Sequence, residues 1–114
     1  MYMSYTREDG FWQREKGRAD MGEESRIERA LSVQVKKRGG MAVKFVSPGL
    51  DGVPDRIVLL PGRRIAFVEL KAPGKKPRPL QEKRKRQLEA LGFPVYVIDR
   101  VEQIGGVLDE ICAT

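Results

Sequence analysis

The sequence predicts an α/β fold, a mixed four-stranded sheet flanked by helices in the order α-β-β-β-α-β-α. Three observations predict it. Apolar residues recur every four positions between Glu23 and Arg38. Two β-rich runs meet across a Pro-Gly turn, as an antiparallel hairpin does. A helical pattern then separates the third strand from the fourth, which makes that last pair parallel.

Taken in order, residues 1–22 carry four basic and four acidic side chains with no sustained period, and read as a loosely ordered N-terminal extension to a domain at 23–114. Glu23 to Arg38 is an amphipathic helix with Ile27, Leu31 and Val35 as its stripe, closed by a basic last turn and Gly39-Gly40. Ala42 to Ser47 is a short strand, and Ser47 to Pro54 a Gly- and Pro-punctuated loop. Arg56 to Leu60 and Arg64 to Leu70 form the hairpin around Pro61-Gly62. Three prolines make a loop of the stretch from Ala72 to Pro79. Leu80 to Leu91 is a helix with Leu80, Arg84, Leu88 and Leu91 near one face. Pro94 to Asp99 is a mostly apolar strand expected to be buried on both faces, and Val101 to Ile111 is a closing helix.

Composition removes whole classes of chemistry. The 114 residues include no histidine and one cysteine, Cys112. That excludes Ser-His-Asp and Cys-His nucleophiles, zinc fingers and an internal disulfide. Carboxylates, lysines and a hard metal ion remain as catalytic resources. No apolar run is long enough to span a membrane and no secretory signal is evident, so the expected location is the cytoplasm of a bacterium or phage-infected cell. The net charge is +6, and it is concentrated: Lys71 to Arg86 holds eight basic residues and one acid, Glu82. Such a segment fits a polyanion partner, and also fits a solvated helix face.

Hairpin register brings polar residues together. Pairing Leu60 with Arg64 and stepping away from the turn sets Asp55 opposite Glu69. Glu69 and Lys71, two apart in a strand, share a face. Two carboxylates and one ammonium thus meet at one end of the sheet. Neighbouring carboxylates repel unless a cation holds them, and either Lys71 or a divalent ion is able to do so. The Leu70 carbonyl lies between the two side chains as a further oxygen donor. A plain cross-strand ion pair accounts for the same spacing. Glu24 and Glu28 border the apolar stripe of the first helix, where a carboxylate is able to turn inward.

These residues resemble the PD-(D/E)XK nuclease superfamily, and within it the VRR-NUC family in its stand-alone phage and bacterial form. The resemblance runs from about Glu23 to Glu110 and rests on ESRIERAL (Glu24 to Leu31), GVPDRIVLL (Gly52 to Leu60), FVELK (Phe67 to Lys71) and Gln81 after Pro77. It implies a restriction-endonuclease-like core and a DNA endonuclease that uses Mg²⁺ or Mn²⁺. Carried over, Asp55 and Glu69 are metal ligands, which the Leu70 carbonyl joins by its position between them, Lys71 is the catalytic lysine, and Gln81 is an additional active-site residue. Glu28 is the first-helix acid, with Glu24 the alternative. Lys75, Lys76, Arg78, Lys83, Arg84 and Lys85 become phosphate contacts for DNA. The resemblance further implies a homodimer acting on four-way (Holliday) junctions. The alternatives are flaps or single-strand ends as substrates, or a DNA-binding module of the same fold without turnover.

Overall fold

An apolar residue at every fourth position makes a helix that must be covered on one side. In the structure, a computed structural model describing residues 5–8, 11–14 and 19–114 with side chains from residue 22 onward, Ile27, Leu31 and Val35 are all buried. Two strands precede their helix, β1 (Tyr5–Glu8) and β2 (Phe11–Arg14), paired antiparallel with Tyr5 opposite Arg14. They fall within residues 1–22, the stretch expected to be a loosely ordered extension. The signal in the sequence is Asp9-Gly10, a two-residue hairpin dipeptide between aromatic β-formers. The remaining positions of that extension before Ala19 lie outside the described residues. The helix itself, α1 (Ala19–Lys37), begins four residues before the expected Glu23 and ends on Lys36 and Lys37.

The main sheet holds β3 (Met41–Lys44), β4 (Arg56–Leu60), β5 (Arg64–Leu70) and β6 (Val95–Ile98), in that spatial order. The first three are antiparallel and β6 runs parallel to β5. The hairpin register is the expected one, Leu60 opposite Arg64 and Arg56 opposite Val68. Helix α2 (Pro79–Ala90) forms the crossover, and a 3₁₀ turn (Val101–Gln103) leads into α3 (Ile104–Ala113). Among the described residues no helix is long and apolar enough to cross a membrane.

Strand alternation divides the sheet's two faces. Val58, Leu60, Ala66, Val68, Leu70 and Ile98 point to one side and form the core with α1 and with Ile104, Leu108 and Ile111 of α3. The opposite face is only partly covered. Helix α2 buries none of its own residues and meets the sheet near Val95 and Val97. Periodicity predicts a packed face of leucines on this helix, yet Leu80 and Leu91 are exposed. Strand β6 lies at the sheet's edge, and its burial is incomplete at Tyr96 and Val97, short of the two-sided burial its apolar sequence predicts. At Val97 the cause is α2, whose charged composition leaves it little apolar surface to lay over that strand, whereas Tyr96 packs on the core side beside Glu110 of α3.

The step from α1 into β3 is tight. The Gly40 amide donates to the Val35 carbonyl at 3.0 Å, and a Cβ at Gly40 would run into the Leu59 carbonyl oxygen. Backbone cannot yield as a side-chain end does. Gly40→Ala is therefore expected to lower stability by about 1–3 kcal/mol, the usual range for overpacking. Urea denaturation measures this, and an unchanged midpoint would mean that the turn relaxes freely.

Candidate active site

Asp55 sits one residue before β4, where the GVPD loop enters the sheet. Its Oδ2 accepts a hydrogen bond from the Leu70 amide at 2.8 Å, and its carbonyl accepts one from the Phe45 amide at 2.9 Å. The carboxylate is thus pinned to the end of β5, next to Glu69. Gly52 makes this loop possible. Its φ of +85° suits glycine, and a Cβ there would meet Leu80 Cγ at 2.8 Å and the Leu80 carbonyl oxygen at 2.9 Å. The glycine of GVPD therefore lets the loop close against the start of α2.

Glu69 points to the α2 side of the sheet and is 3% exposed. Its Oε2 accepts from Gln81 Nε2 at 2.5 Å and lies 3.3 Å from Lys71 Nζ. Its Oε1 is buried without a hydrogen-bond partner. Gln81 also accepts from the Arg78 amide, through its Oε1, at 2.8 Å. One side chain thus caps α2 and holds the Glu69 carboxylate. The Lys71 amide continues the parallel ladder to the Ile98 carbonyl at 3.0 Å, which fixes the lysine beyond the strand's end.

Crowding shifts both acids upward. Loss of hydration raises the Asp55 pKa, opposed by the Leu70 amide and the Lys71 charge. Asp55 keeps a solvent-exposed side, so water moderates its shift. Glu69 is raised from 4.5 to about 7, first by loss of hydration and then by the Asp55 charge, with Lys71 acting in the opposite sense. Between those two values the folded chain holds a proton that the unfolded chain has released. The stabilisation from this proton is complete below about 4.5 and lost as the pH rises through about 7. In EDTA, urea denaturation is expected to show stability falling between pH 5 and pH 8, with Glu69→Gln removing much of that slope. A slope identical in the variant would assign it to other groups.

A pocket of about 250 Å³ opens beside Asp55, bordered by Glu24 and Glu28 of α1, Lys44 of β3, Phe45 and Leu70. Both first-helix acids therefore reach the site. Glu28 is ion-paired through its Oε2 with Arg56 Nη2, and Arg56 Nη1 also donates to the Ala42 carbonyl at 3.4 Å. Glu28 is thereby tied to the sheet. Glu24 borders the same space, and its charge is felt at Glu69. Sequence reasoning misses Lys44 and Arg56. The DR step after the proline carries a signal for Arg56, whereas Lys44 enters only because β3 pairs with β4, Lys44 opposite Arg56.

The sheet's end thus joins Asp55, Glu69, Lys71 and Gln81, with Leu70 between. Glu69 faces a separate narrow crevice shared with Gln81 and Lys85, while Asp55 faces the open pocket. Among the described residues, no group of three or more Asp, Glu, Cys or His side chains is arranged to hold a metal ion. Two carboxylates, one with an orphaned buried oxygen, nevertheless fit a hard cation. Mg²⁺ commonly takes only one or two carboxylates and completes its shell with water and phosphate. Of the basic residues, Lys75, Lys76, Arg78 and Lys83 are exposed. Arg84 is held by bonds to the Asp51 carbonyl at 2.7 Å and to Gln87 Oε1 at 3.0 Å.

A three-stranded antiparallel unit extended by one parallel strand, with an aspartate and a Glu-x-Lys pair converging at one end, defines an α/β nuclease core of the PD-(D/E)XK type. Comparison with known proteins agrees. The chain is 55% identical over 76 residues to "Putative nuclease p44" of Acyrthosiphon pisum secondary endosymbiont phage 1, a match covering 67% of this chain and 82% of that protein. A solved structure described as a VRR_NUC domain matches with a TM-score of 0.72 and 28% identity, over 76% of this chain and 95% of that one. No protein-family model matches. The chain belongs to the VRR-NUC family of nucleases.

Proposed function

We propose that the protein is a metal-dependent, structure-selective DNA endonuclease that acts as a homodimer on four-way junctions in the cytoplasm of a bacterium or phage-infected cell. The observation that carries the reading is the buried, unpartnered Glu69 Oε1 beside Asp55 and Lys71. Asp55, Glu69 and the Leu70 carbonyl would hold Mg²⁺ or Mn²⁺, which when bound polarises a phosphodiester oxygen and acidifies a water.

The protein's own groups do the rest. Gln81 restrains the Glu69 carboxylate through a 2.5 Å bond, so its orientation is set before DNA arrives. Lys71, 3.3 Å from the same oxygen, carries positive charge to where the phosphate becomes more negative. Arg56 restrains Glu28 at the pocket rim. Lys75, Lys76, Arg78, Lys83, Arg84 and Lys85 hold phosphates flanking the cut, which supplies affinity and register rather than sequence reading. Two-fold symmetry in a dimer suits a substrate that needs two related cuts.

The test is cleavage of matched four-way, flap, duplex and single-stranded DNAs with Mg²⁺, Mn²⁺ or EDTA. Cutting that needs the ion and favours the four-way substrate is expected. Equal rates on duplex and flap would remove the junction preference. Binding without cutting under any ion would leave a DNA-binding module.

A further inference from the structure

Between the 45–53 loop and α2 lies an open groove of about 480 Å³, lined by Phe45, Leu50, Val53, Leu88 and Leu91, with Arg84 at its side. Volumes of this order are typical of small-molecule sites, roughly 300–1,000 Å³. Its walls are apolar, and its outer leucines are open to solvent, Leu50 at 45% and Leu91 at 72%. The groove is held open by bonds on two sides. Arg84 Nε ties α2 to the Asp51 carbonyl, and the Phe45 ring packs on Phe67 with centroids 5.7 Å apart.

We infer that this groove receives an unpaired nucleobase of the DNA, one nucleotide from the phosphate that a cation at Asp55 would bind. This rests on the nuclease reading above and adds to it a substrate feature, a base displaced from its pair. The decisive placement is Phe45, which borders both the groove and the pocket beside Asp55. A nucleotide carries its base and phosphate on opposite sides of one sugar, so it spans such a partition. Aromatic and apolar walls accept any base by stacking, without reading sequence.

Charge selects this occupant over a second copy of the chain. Lys83, Arg84, Lys85 and Arg86 lie on the helix that forms one wall. A two-fold contact centred on the groove would bring two such helices together, and like charges would oppose it. A polyanion instead has its backbone neutralised while its base enters the apolar space.

The experiment measures affinity of the full chain, in EDTA, for a four-way junction with one unpaired adenine at the branch point. The same junction with an abasic site there is the comparison. The base is expected to tighten binding by about tenfold, within the range for one stacked base. The paired variant Leu50→Ser with Leu91→Ser, at exposed positions, is expected to bind both DNAs at the abasic level with an unchanged salt slope. Equal affinity of the wild-type chain for the two DNAs overturns the proposal. So does sedimentation showing that the paired variant converts a dimer to a monomer, since the groove would then belong to a second copy. Binding is read without turnover. Base discrimination in a protein that cuts nothing would sustain this inference while the nuclease reading fell, and cutting without discrimination would do the reverse.

Discussion

Lys71→Ala is expected to reduce DNA cleavage by about 10²–10³-fold, the usual cost of removing one preorganised group that stabilises charge in a transition state. Binding should change little. Lys71 is largely buried and directed at Glu69 Oε2, 3.3 Å away, so it contributes little to the exposed cationic surface that DNA meets first. The substitution also removes a charge that lowers the Glu69 pKa. In EDTA, Glu69 of the variant should therefore hold its proton to a higher pH than in the parent, because it must ionise against Asp55 without the lysine's help. Single-turnover cleavage and a binding isotherm, with urea denaturation against pH in EDTA, separate these effects. Near-normal turnover would show that Lys71 serves only as an ion-pair partner.

The second large effect is electrostatic. Replacing Lys83 and Lys85 with glutamine is expected to weaken DNA binding by about tenfold or more at moderate salt. It should also flatten the dependence of log K on log salt by about one unit for each phosphate left without its cation. Adding Arg84 enlarges the loss, but for a mixed reason. Its guanidinium also fastens the Asp51 carbonyl, and through it the loop that carries Asp55. The two-lysine variant is therefore the cleaner test of the phosphate role. Fluorescence anisotropy across a salt series measures both quantities. An unchanged slope would place these side chains in bulk solvent, away from the DNA.

Gln81 illustrates how a site is assembled from separate requirements. A glutamine three residues after Arg78 is a helix-start residue by pattern. In the fold its carbonyl oxygen does accept the Arg78 amide, while its amide nitrogen reaches Glu69 on the neighbouring strand. Helix entry and carboxylate orientation are thus settled by one side chain. Glu28 shows the converse. Its place beside the apolar stripe brings it to the pocket beside Asp55, but its partner, Arg56, comes from a strand whose packing against α1 no local pattern specifies.

From Glu23 onward, the amino-acid order alone determined the succession of helices and strands, the register of the central hairpin, and hence the meeting of Asp55, Glu69 and Lys71 at one end of the sheet. The reason is that a short turn leaves little freedom: once Leu60 faces Arg64, every earlier and later pair follows. Tertiary structure decided what depends on the approach of distant segments. It put Lys44 and two acids of α1 around one pocket, held Glu28 with Arg56, and left α2 lying on the sheet with Leu80 exposed and no residue fully buried. Those outcomes turn on how β3 pairs and how two helices are rotated against the sheet. Long-range packing settles both, and neither periodicity nor spacing encodes it.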